Sequence, residues 1–442
     1  MLKRFKKGGI HPHDNKITRA KAIEVMPLPK VAVISMAQHI GAPASPVVKR
    51  GDIVKVGQLI GQAKGFISAN IHSSVSGTVK SVGDAVNSMG LLVPSVTITV
   101  DGDEWLETID RSEEIVEKFD LSPKEIVSIV ASTGIVGLGG ATFPSNVKHS
   151  IPEGKTAKAL VVNGVECEPY LTADHRLMLE HGREIVVAIK IICHAIGVEK
   201  AYIGIENNKL DAIESMTKAS ADTPIIEVVP LRVQYPQGSE KQLIEATMGA
   251  EVPSGALPIQ VGAVVQNIGT MYAIYQAVQK HKPLFERVVT VTGKSVSEPK
   301  NLLTRVGSPV NDMIEYCGGV PEGTAKVIDG GPMMGRSMAN LSGVINKGSS
   351  GILMMPETET PANDASSCIR CGKCVQVCPM GLEPYLLNVL ADKRNFEECI
   401  EHSAMDCIEC GSCSFTCPAH IRLLDNIRIA KREVGKILRN RK

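Results

Sequence analysis

Two stretches near the end of the chain, CIRCGKCVQVCP at residues 368–379 and CIECGSCSFTCP at residues 407–418, decide the fold of that region. Each reads C-x2-C-x2-C-x3-C-P. In this spacing three cysteines bind one [4Fe–4S] cluster and the fourth binds the neighbouring cluster. We therefore expect two crossed ligand sets: Cys368, Cys371, Cys374 and Cys417 for one cluster, and Cys407, Cys410, Cys413 and Cys378 for the other.

Structural zinc is the alternative, because four-cysteine zinc sites also use C-x2-C pairs. Zinc needs two such pairs per ion, however, and has no use for two identical four-cysteine runs. The residues between the runs, EPYLLNVLADKRNFEECIEH at 383–402, have helical periodicity. The pattern predicts a helical two-cluster ferredoxin domain that carries electrons one at a time. We place this domain at residues 356–442, and nearly all of a linker at 355–367 falls within its first part.

Length, apolar content and cysteine usage indicate the number of domains and the compartment of the protein. A length of 442 residues suggests about three domains. The longest apolar stretch, residues 185–198, is shorter than the ~20 residues of a membrane span. Twelve cysteines, eight of them assigned as ligands, indicate a reducing cytoplasm rather than disulfides. We expect no nucleic-acid partner.

The net charge of +1 conceals two basic ends. Residues 1–10 contain Lys3, Arg4, Lys6 and Lys7, and residues 421–442 carry a local charge of +6. Such ends are either solvated tails or docking segments for an acidic partner or anionic lipid.

An internal repeat opens the chain. VKRGDIV at residues 48–54 is echoed by VKSVGDAV at 79–86, and the Gly-Asp pairs predict hairpin turns between strands. The two halves resemble the barrel-sandwich of lipoyl and biotinyl carrier domains. The connecting piece, GFISANIHSS at 65–74, contains no lysine to modify. We therefore expect a structural or docking module at residues 1–115, not a swinging arm.

Alternating helices and strands follow from Ser122, which begins a capping box with Glu125. Predicted strands are 159–165, 201–205, 225–229 and 261–266, and predicted helices are 173–196, 209–220, 240–248 and 270–281. This order predicts an α/β layer with a largely parallel sheet over residues 116–286. A shorter β-rich unit follows at 287–355.

A glycine-rich loop, GIVGLGGATFP at residues 134–144, is the second chemical signal. Clustered glycines let backbone N–H groups approach a phosphate or a ring. A helix precedes the loop, so it is not the dinucleotide fingerprint that follows a strand. Clusters take one electron at a time and nicotinamide gives two, so a flavin is expected between them.

These residues resemble a known family. GLGGATFPSNVK, VVNGVECEP, YPQGSEKQL and VVQNIGTMYA are similar to the four flavin-site stretches of the FMN- and NADH-binding flavoprotein subunit of respiratory complex I. The order from GGIHPHDNK through the glycine loop and GGPMMG to two ferredoxin runs resembles the C-subunit of the Rnf (Rsx-type) ion-translocating electron-transport complex. The resemblance covers nearly the whole chain.

The resemblance implies a multidomain α+β fold: a lipoyl-like barrel-sandwich domain, an α/β FMN- and NADH-binding domain, a β-grasp domain and the helical ferredoxin domain. Glu240 and Glu168 would be catalytic, lying with Phe143 where NADH binds. The implied flavin pocket consists of Gly137, Gly139, Gly140, Lys148, Asn163, Glu166, Tyr235, Gly238, Gln266, Asn267 and Thr270. Leu138, Val165 and Ser239 depart from the diaphorase pattern.

The implied function is a peripheral subunit, at the cytoplasmic face of the membrane, of an NAD:ferredoxin oxidoreductase complex that moves Na+ or H+. NAD(H), FMN and two [4Fe–4S] clusters are the implied cofactors, and the other subunits are the implied partners, with ferredoxin reached through them. A soluble reductase of the corrin-reductase or selenoprotein-reductase type and a non-catalytic electron carrier are the alternatives.

Overall fold

The computed structural model describes residues 2–360 and 364–441, so part of the predicted linker, residues 361–363, lies outside the described residues. The strands are β1 Ile23–Val25, β2 Val31–Ser35, β3 Ser45–Pro46, β4 Ile53–Val54, β5 Leu59–Gln62, β6 Ile71–His72, β7 Gly77–Val86, β8 Leu92–Val100, β9 Ala159–Asn163, β10 Ala201–Glu206, β11 Ile226–Leu231, β12 Ala263–Asn267, β13 Glu286–Thr292, β14 Lys300–Arg305, β15 Thr324–Asp329, β16 Arg336–Ser337 and β17 Gly351–Pro356. The helices are α1 Pro123–Ser132, α2 Ser145–His149, α3 Ala173–Glu180, α4 Gly182–Ile196, α5 Leu210–Ala219, α6 Glu240–Met248, α7 Ile268–Lys280, α8 Val310–Tyr316, α9 Lys373–Gln376, α10 Pro384–Asp392, α11 Phe396–Glu401, α12 Ser412–Phe415 and α13 Leu423–Asn440.

The first domain is a small barrel of two sheets, ordered β2-β8-β7-β4 and β3-β5-β6. Gly51 lies in a turn at a φ of +92°, as the sequence predicts. The second predicted hairpin turn is wrong, because Gly83 and Asp84 lie inside β7 and pair with Ser95 and Pro94 of β8. The turn comes at residues 87–90 instead, where the Asn87 side chain accepts backbone N–H groups and closes the loop.

The α/β layer contains a fully parallel sheet ordered β11-β10-β9-β12, which confirms the sequence prediction. Helix α1 begins with the predicted capping box between Ser122 and Glu125. The long helix predicted at 173–196 is broken into α3 and α4 at His181, which is followed directly by Gly182. The core of this layer is formed by α4 and α7 against the sheet.

The third domain is a mixed six-stranded sheet ordered β1-β14-β13-β17-β15-β16. Strand β1 comes from the beginning of the chain and pairs in parallel with β14. The strands of the barrel begin at β2, and the boundary 1–115 of the first domain stays a prediction. The boundaries 116–286, 287–355 and 356–442 stay predictions.

The ferredoxin domain is helical, as the sequence predicts. Its C-terminal basic segment is not a loose tail, because it forms the amphipathic helix α13, whose Ala430 and Val434 are fully buried against the domain core. The basic residues Arg432 and Lys436 lie on its outer face. Over residues 2–360 and 364–441, none of the helices is long and apolar enough to cross a membrane.

Residues 3–18, the N-terminal segment, run between the ferredoxin domain and the α/β layer. The N–H of Gly9 donates to the carbonyl of Val377, and Ile10 pairs with Tyr235 in both directions. A Cβ on Gly8 would lie within 2.7 Å of the Val377–Cys378 backbone. The first residues of the chain thus join a predicted cluster ligand to a predicted flavin-site stretch.

Candidate functional site

The predicted flavin residues gather at the carboxyl edge of the parallel sheet. Asn163 ends β9 and Asn267 ends β12, and the two are register partners. Ligands of parallel α/β sheets bind beyond this edge because the loops that leave the strands meet there. Asn267 also caps α7, its Oδ1 accepting the N–H of Thr270.

The glycine loop lies against the beginning of α7. The N–H of Gly137 donates to the carbonyl of Phe143, and the N–H of Leu138 donates to Thr270 Oγ1 at 2.9 Å. A Cβ on Gly139 would lie 3.0 Å from Asn267, so this position is sterically restricted. Gly140, at a φ of +152°, faces open space. The N–H groups of Gly139 and Gly140 have no acceptor within the part of the chain that the structure describes.

Lys148 and Glu240 form an ion pair at 2.7 Å, which brings a predicted FMN ligand beside a predicted NADH contact. The Lys148 ammonium also donates to the carbonyl of Val265 at 3.2 Å. Next to it, Gln266 bonds the buried His149 ring at 2.8 Å. Burial lowers the pKa of His149 to about 3, so this ring is neutral.

The loop from Asn163 to Thr172 carries three more predicted residues. Asn163 Nδ2 donates to the carbonyl of Gly238 at 2.7 Å, and the Glu166 carboxylate accepts the N–H groups of Asp174 and His175 at the start of α3. Asp174, which the sequence does not single out, accepts a 2.6 Å bond from Asn267 Nδ2. Burial, with the Glu166 charge beside it, raises the pKa of Asp174 to about 7.

Glu168 is placed differently from Glu240. Its carboxylate accepts the N–H groups of Met333 and Met334, in the GGPMMG turn of the third domain, and lies 3.3 Å from the phenol oxygen of Tyr235. Burial raises the pKa of Glu168 to about 7, against the opposing effect of these donors. The two predicted catalytic carboxylates therefore have separate partners, and Glu168 lies where three domains meet.

The stretch YPQGSEKQ connects the flavin loops to the ferredoxin domain. Tyr235 Oη donates to the carbonyl of Cys410 at 2.8 Å. Seven residues on, Gln242 Nε2 reaches the carbonyl of Pro379, next to Cys378, at 3.4 Å. Tyr235 and Cys410 also share a buried apolar cluster with Ile10. One end of the flavin site thus touches two predicted ligand loops.

The four cysteines assigned to one cluster, Cys368, Cys371, Cys374 and Cys417, line a single cavity of about 490 Å³ and are called the outer group. Cys368 and Cys371 are exposed. Over residues 2–360 and 364–441, no three Cys, His, Asp or Glu side chains come close enough to hold a single metal ion. The four cysteines of the outer group line a space instead of meeting at a single point. A set of four thiolates around such a space fits a cluster.

The other four cysteines, Cys378, Cys407, Cys410 and Cys413, line a second, tighter cavity and are called the inner group. Three of them are buried and Cys407 is half-buried. Apolar side chains of α10 and α13 close this cavity, among them Leu387, Leu424 and Ile427. Both groups have the crossed composition that the spacing predicts, and their ligand roles stay predictions.

The flavin pocket also fits its predicted group. Gly140 leaves open space, and the N–H groups of Gly139 and Gly140 have no acceptor among residues 2–360 and 364–441. The Lys148 ammonium, paired with Glu240, could turn to a bound phosphate. Asp174 and His149 could not be found from the sequence, because nothing in their local pattern separates them from ordinary helical residues. The role of Lys16, in the GGIHPHDNK stretch, could not be read from the sequence either, because its contacts with the flavin-site loop join residues that are distant in sequence.

Family models match the chain along most of its length. The RnfC barrel sandwich hybrid domain matches residues 3–103, the Nuo51 FMN-binding domain residues 130–276, the SLBB domain residues 288–337 and a 4Fe-4S dicluster domain residues 360–418. These matches confirm the predicted fold class and the predicted FMN and cluster cofactors.

Curated relatives agree over nearly the full length. The chain is 49% identical to the C-subunit of the proton-translocating ferredoxin:NAD+ oxidoreductase complex of Clostridium ljungdahlii, over 91% of this chain and 87% of that protein. It is 45% identical to the counterpart in the Na+-translocating complex of Acetobacterium woodii, over 97% and 96%. It is also 45% identical to the C-subunit of the ion-translocating oxidoreductase complex of Rhodobacter capsulatus, over 97% and 83%. The chain belongs to the C-subunit family of ion-translocating ferredoxin:NAD+ oxidoreductase complexes, the Rnf complexes.

Proposed function

We propose that this chain is the peripheral NAD(H)-handling subunit, at the cytoplasmic face of the membrane, of an ion-translocating NAD:ferredoxin oxidoreductase complex. It exchanges electrons between NAD(H) and FMN and passes them singly through two [4Fe–4S] clusters to other subunits. The soluble-reductase alternative is not favoured, because the relatives at 45–49% identity are subunits of such complexes.

The contact of one sequence stretch with both kinds of site carries this proposal. Tyr235 reaches Cys410, Gly238 accepts from Asn163 of the flavin edge, and Gln242 reaches the loop of Cys378. The flavin pocket therefore adjoins the inner group. FMN, when bound, supplies the exchange between a two-electron and a one-electron partner.

The protein's own residues bind the FMN and the nicotinamide substrate and orient them. The N–H groups of Gly139 and Gly140, which have no acceptor among the described residues, and the Lys148 ammonium attract a phosphate, while Glu240, paired with Lys148, is partly exposed. Glu168 is held by Met333, Met334 and Tyr235, so its role is to hold the three-domain junction together. We assign NADH contact to Glu240 rather than to Glu168.

Burial gives the electron path a direction in space. The inner group is buried next to the flavin pocket, and the outer group opens to the surface through Cys368 and Cys371. We infer the order flavin, inner cluster, outer cluster, partner subunit. The outer face of α13, where Arg432 and Lys436 share the Glu433 carboxylate and leave a net positive charge, lies in the same domain and suits an acidic partner or anionic headgroups.

The test uses anaerobically purified full-length protein. We expect about one FMN and about eight iron atoms per chain, and bleaching of the cluster absorbance when NADH is added. Zinc in place of iron, or clusters that stay oxidised while the flavin is reduced, would contradict the proposal. Replacing Arg432 and Lys436 by glutamine should weaken co-purification with membranes and leave iron and FMN unchanged, whereas unchanged co-purification would remove the docking role of α13.

A further inference from the structure

Lys16, the last residue of the GGIHPHDNK stretch, is buried inside the flavin-site loop. It is 8% exposed, and its Nζ donates to three backbone carbonyls: Glu166 at 2.8 Å, Glu168 at 2.8 Å and Leu171 at 2.6 Å. An ammonium has three N–H donors, and all three are used here. A single side chain thus binds the loop at both ends.

The loop is bent in a way that calls for such a partner. Glu166 has a φ of +43° and Tyr170 a φ of +71°, conformations that residues with a Cβ rarely adopt. Backbone of this kind persists only where the surroundings enforce it. Charge-assisted hydrogen bonds to carbonyls are stronger than neutral ones, so Lys16 can offset the strain.

A second buried lysine binds the same loop. Lys209, 1% exposed, donates to the carbonyl of Val165 at 2.7 Å. The buried carboxylate of Glu206 lies 3.5 Å from the Lys209 ammonium. With carbonyls of the loop directed at two ammonium groups, its polar side chains are free for other partners.

Those side chains are the predicted flavin-site groups. The Glu166 carboxylate caps α3 next to Asp174, which in turn holds Asn267 at the flavin edge, and Glu168 holds the junction with Tyr235. The two lysines thus bind the backbone carbonyls of the loop, and its side chains contribute to the predicted flavin pocket.

We propose that Lys16 is a positioning residue for FMN: by binding three carbonyls it shapes the loop that forms one wall of the flavin pocket, with Lys209 acting on the same loop through Val165. This inference rests on the proposed function, because it assumes that FMN binds at this edge. The inference gives the N-terminal GGIHPHDNK stretch a role in the flavin site, although the stretch is far from the flavin-site loop in sequence.

The test compares Lys16→Met with Lys200→Met in the full-length protein. Methionine keeps much of the side-chain volume and removes all three donors. The control removes a half-exposed surface lysine of the same domain, which pairs with Glu227. Flavin is stripped, and FMN rebinding is followed by quenching of its fluorescence. The visible circular dichroism of the flavin is recorded at saturating FMN, together with the iron content.

For Lys16→Met we expect FMN affinity to fall by about tenfold or more, an altered flavin dichroism, and unchanged iron. Lys200→Met should match the wild type in all three. Wild-type affinity and dichroism in Lys16→Met would overturn the inference. Should Lys16→Met not fold, judged by iron content, Lys209→Met is measured in the same way, and wild-type FMN binding there would overturn it equally. A wild-type chain that binds no FMN would instead refute the proposed function.

Discussion

The phenol of Tyr235 donates a 2.8 Å hydrogen bond to the carbonyl of Cys410 and lies 3.3 Å from the Glu168 carboxylate. A predicted flavin-site residue is thereby bonded directly to a cysteine loop of the inner group. The site and the cluster domain are held in one arrangement by a side chain that is itself 2% exposed.

Tyr235→Phe should loosen this junction. The Cys410 carbonyl loses its donor, which costs about 1–3 kcal/mol at a buried position. Hydrogen exchange at residues 407–413 should become faster, and NADH should reduce the clusters more slowly, with FMN and iron content unchanged. Tyr316→Phe, which removes an exposed phenol of the third domain that lines neither cysteine cavity, is the control. Exchange as slow as in the wild type would contradict a role for the phenol.

Cys374→Ser should remove about half of the iron, because one of two clusters loses a ligand. The matched control is Cys399→Ser: Cys399 is fully buried in the same domain but lies in its apolar core, and neither cavity is lined by it. Iron analysis of the two proteins decides. Equal iron contents would refute the ligand assignment.

Single cluster losses should also reveal the order of transfer. In Cys374→Ser the remaining inner cluster should still be reduced by NADH at a rate close to that of the wild type. In Cys410→Ser the outer cluster should remain oxidised on the same time scale, because its nearest donor is missing. Stopped-flow absorbance under anaerobic conditions measures both, and the opposite pattern would reverse the inferred path.

Gly140→Val should lower FMN affinity by about tenfold or more. The new side chain would occupy the open space of the pocket and strain a backbone at a φ of +152°. Gly197→Ala provides the control, because Gly197 also has a positive φ, of +68°, with open space beside it, but it ends α4 away from the glycine loop. FMN binding at wild-type strength in Gly140→Val would show that the loop has only a structural role.

His149 should make the flavin-free protein sensitive to acid. Its folded pKa of about 3 lies below the ordinary value of 6.5, so the unfolded chain binds the proton first as the pH falls. The stabilising contribution is complete above about pH 6.5 and is lost toward pH 3, by about 1.4 kcal/mol per pH unit. His149→Gln should show a smaller drop in melting temperature between pH 7 and pH 5. His13→Gln, a change at an exposed histidine, should show the same drop in melting temperature as the wild type. Equal drops in all three proteins would exclude His149 as the cause of the acid sensitivity.

Features that depend on neighbouring residues were predictable. The crossed cysteine groups follow from spacing within each run, and helix α6 begins and ends where its sequence indicates. The parallel sheet follows from alternating apolar strands and amphipathic helices.

Features that depend on distant partners were not. Gly83 and Asp84 look like a turn, yet pairing with β8 keeps them in a strand, and the turn forms where Asn87 can bond its own backbone. Lys16 looks like a surface lysine until the fold brings Glu166 to it. The last basic residues look like a tail, but Leu423, Ile427, Ala430 and Val434 recur at helical spacing, so the amphipathic helix itself could be read from the sequence and only its packing against α10 depends on the fold.

The bond between Gly9 and Val377 has a consequence for how the molecule is made. Synthesis delivers the first residues at the start and the cysteine domain at the end, and domains generally fold as they emerge. The contact of Gly9 with Val377 can therefore form only after the ferredoxin domain has been synthesised, whereas the contacts of Lys16 need only the earlier loop at Glu166. Docking of residues 8 and 9 onto the loop that ends at Cys378 is thus a late step of folding, and it fastens the ferredoxin domain to the rest of the molecule.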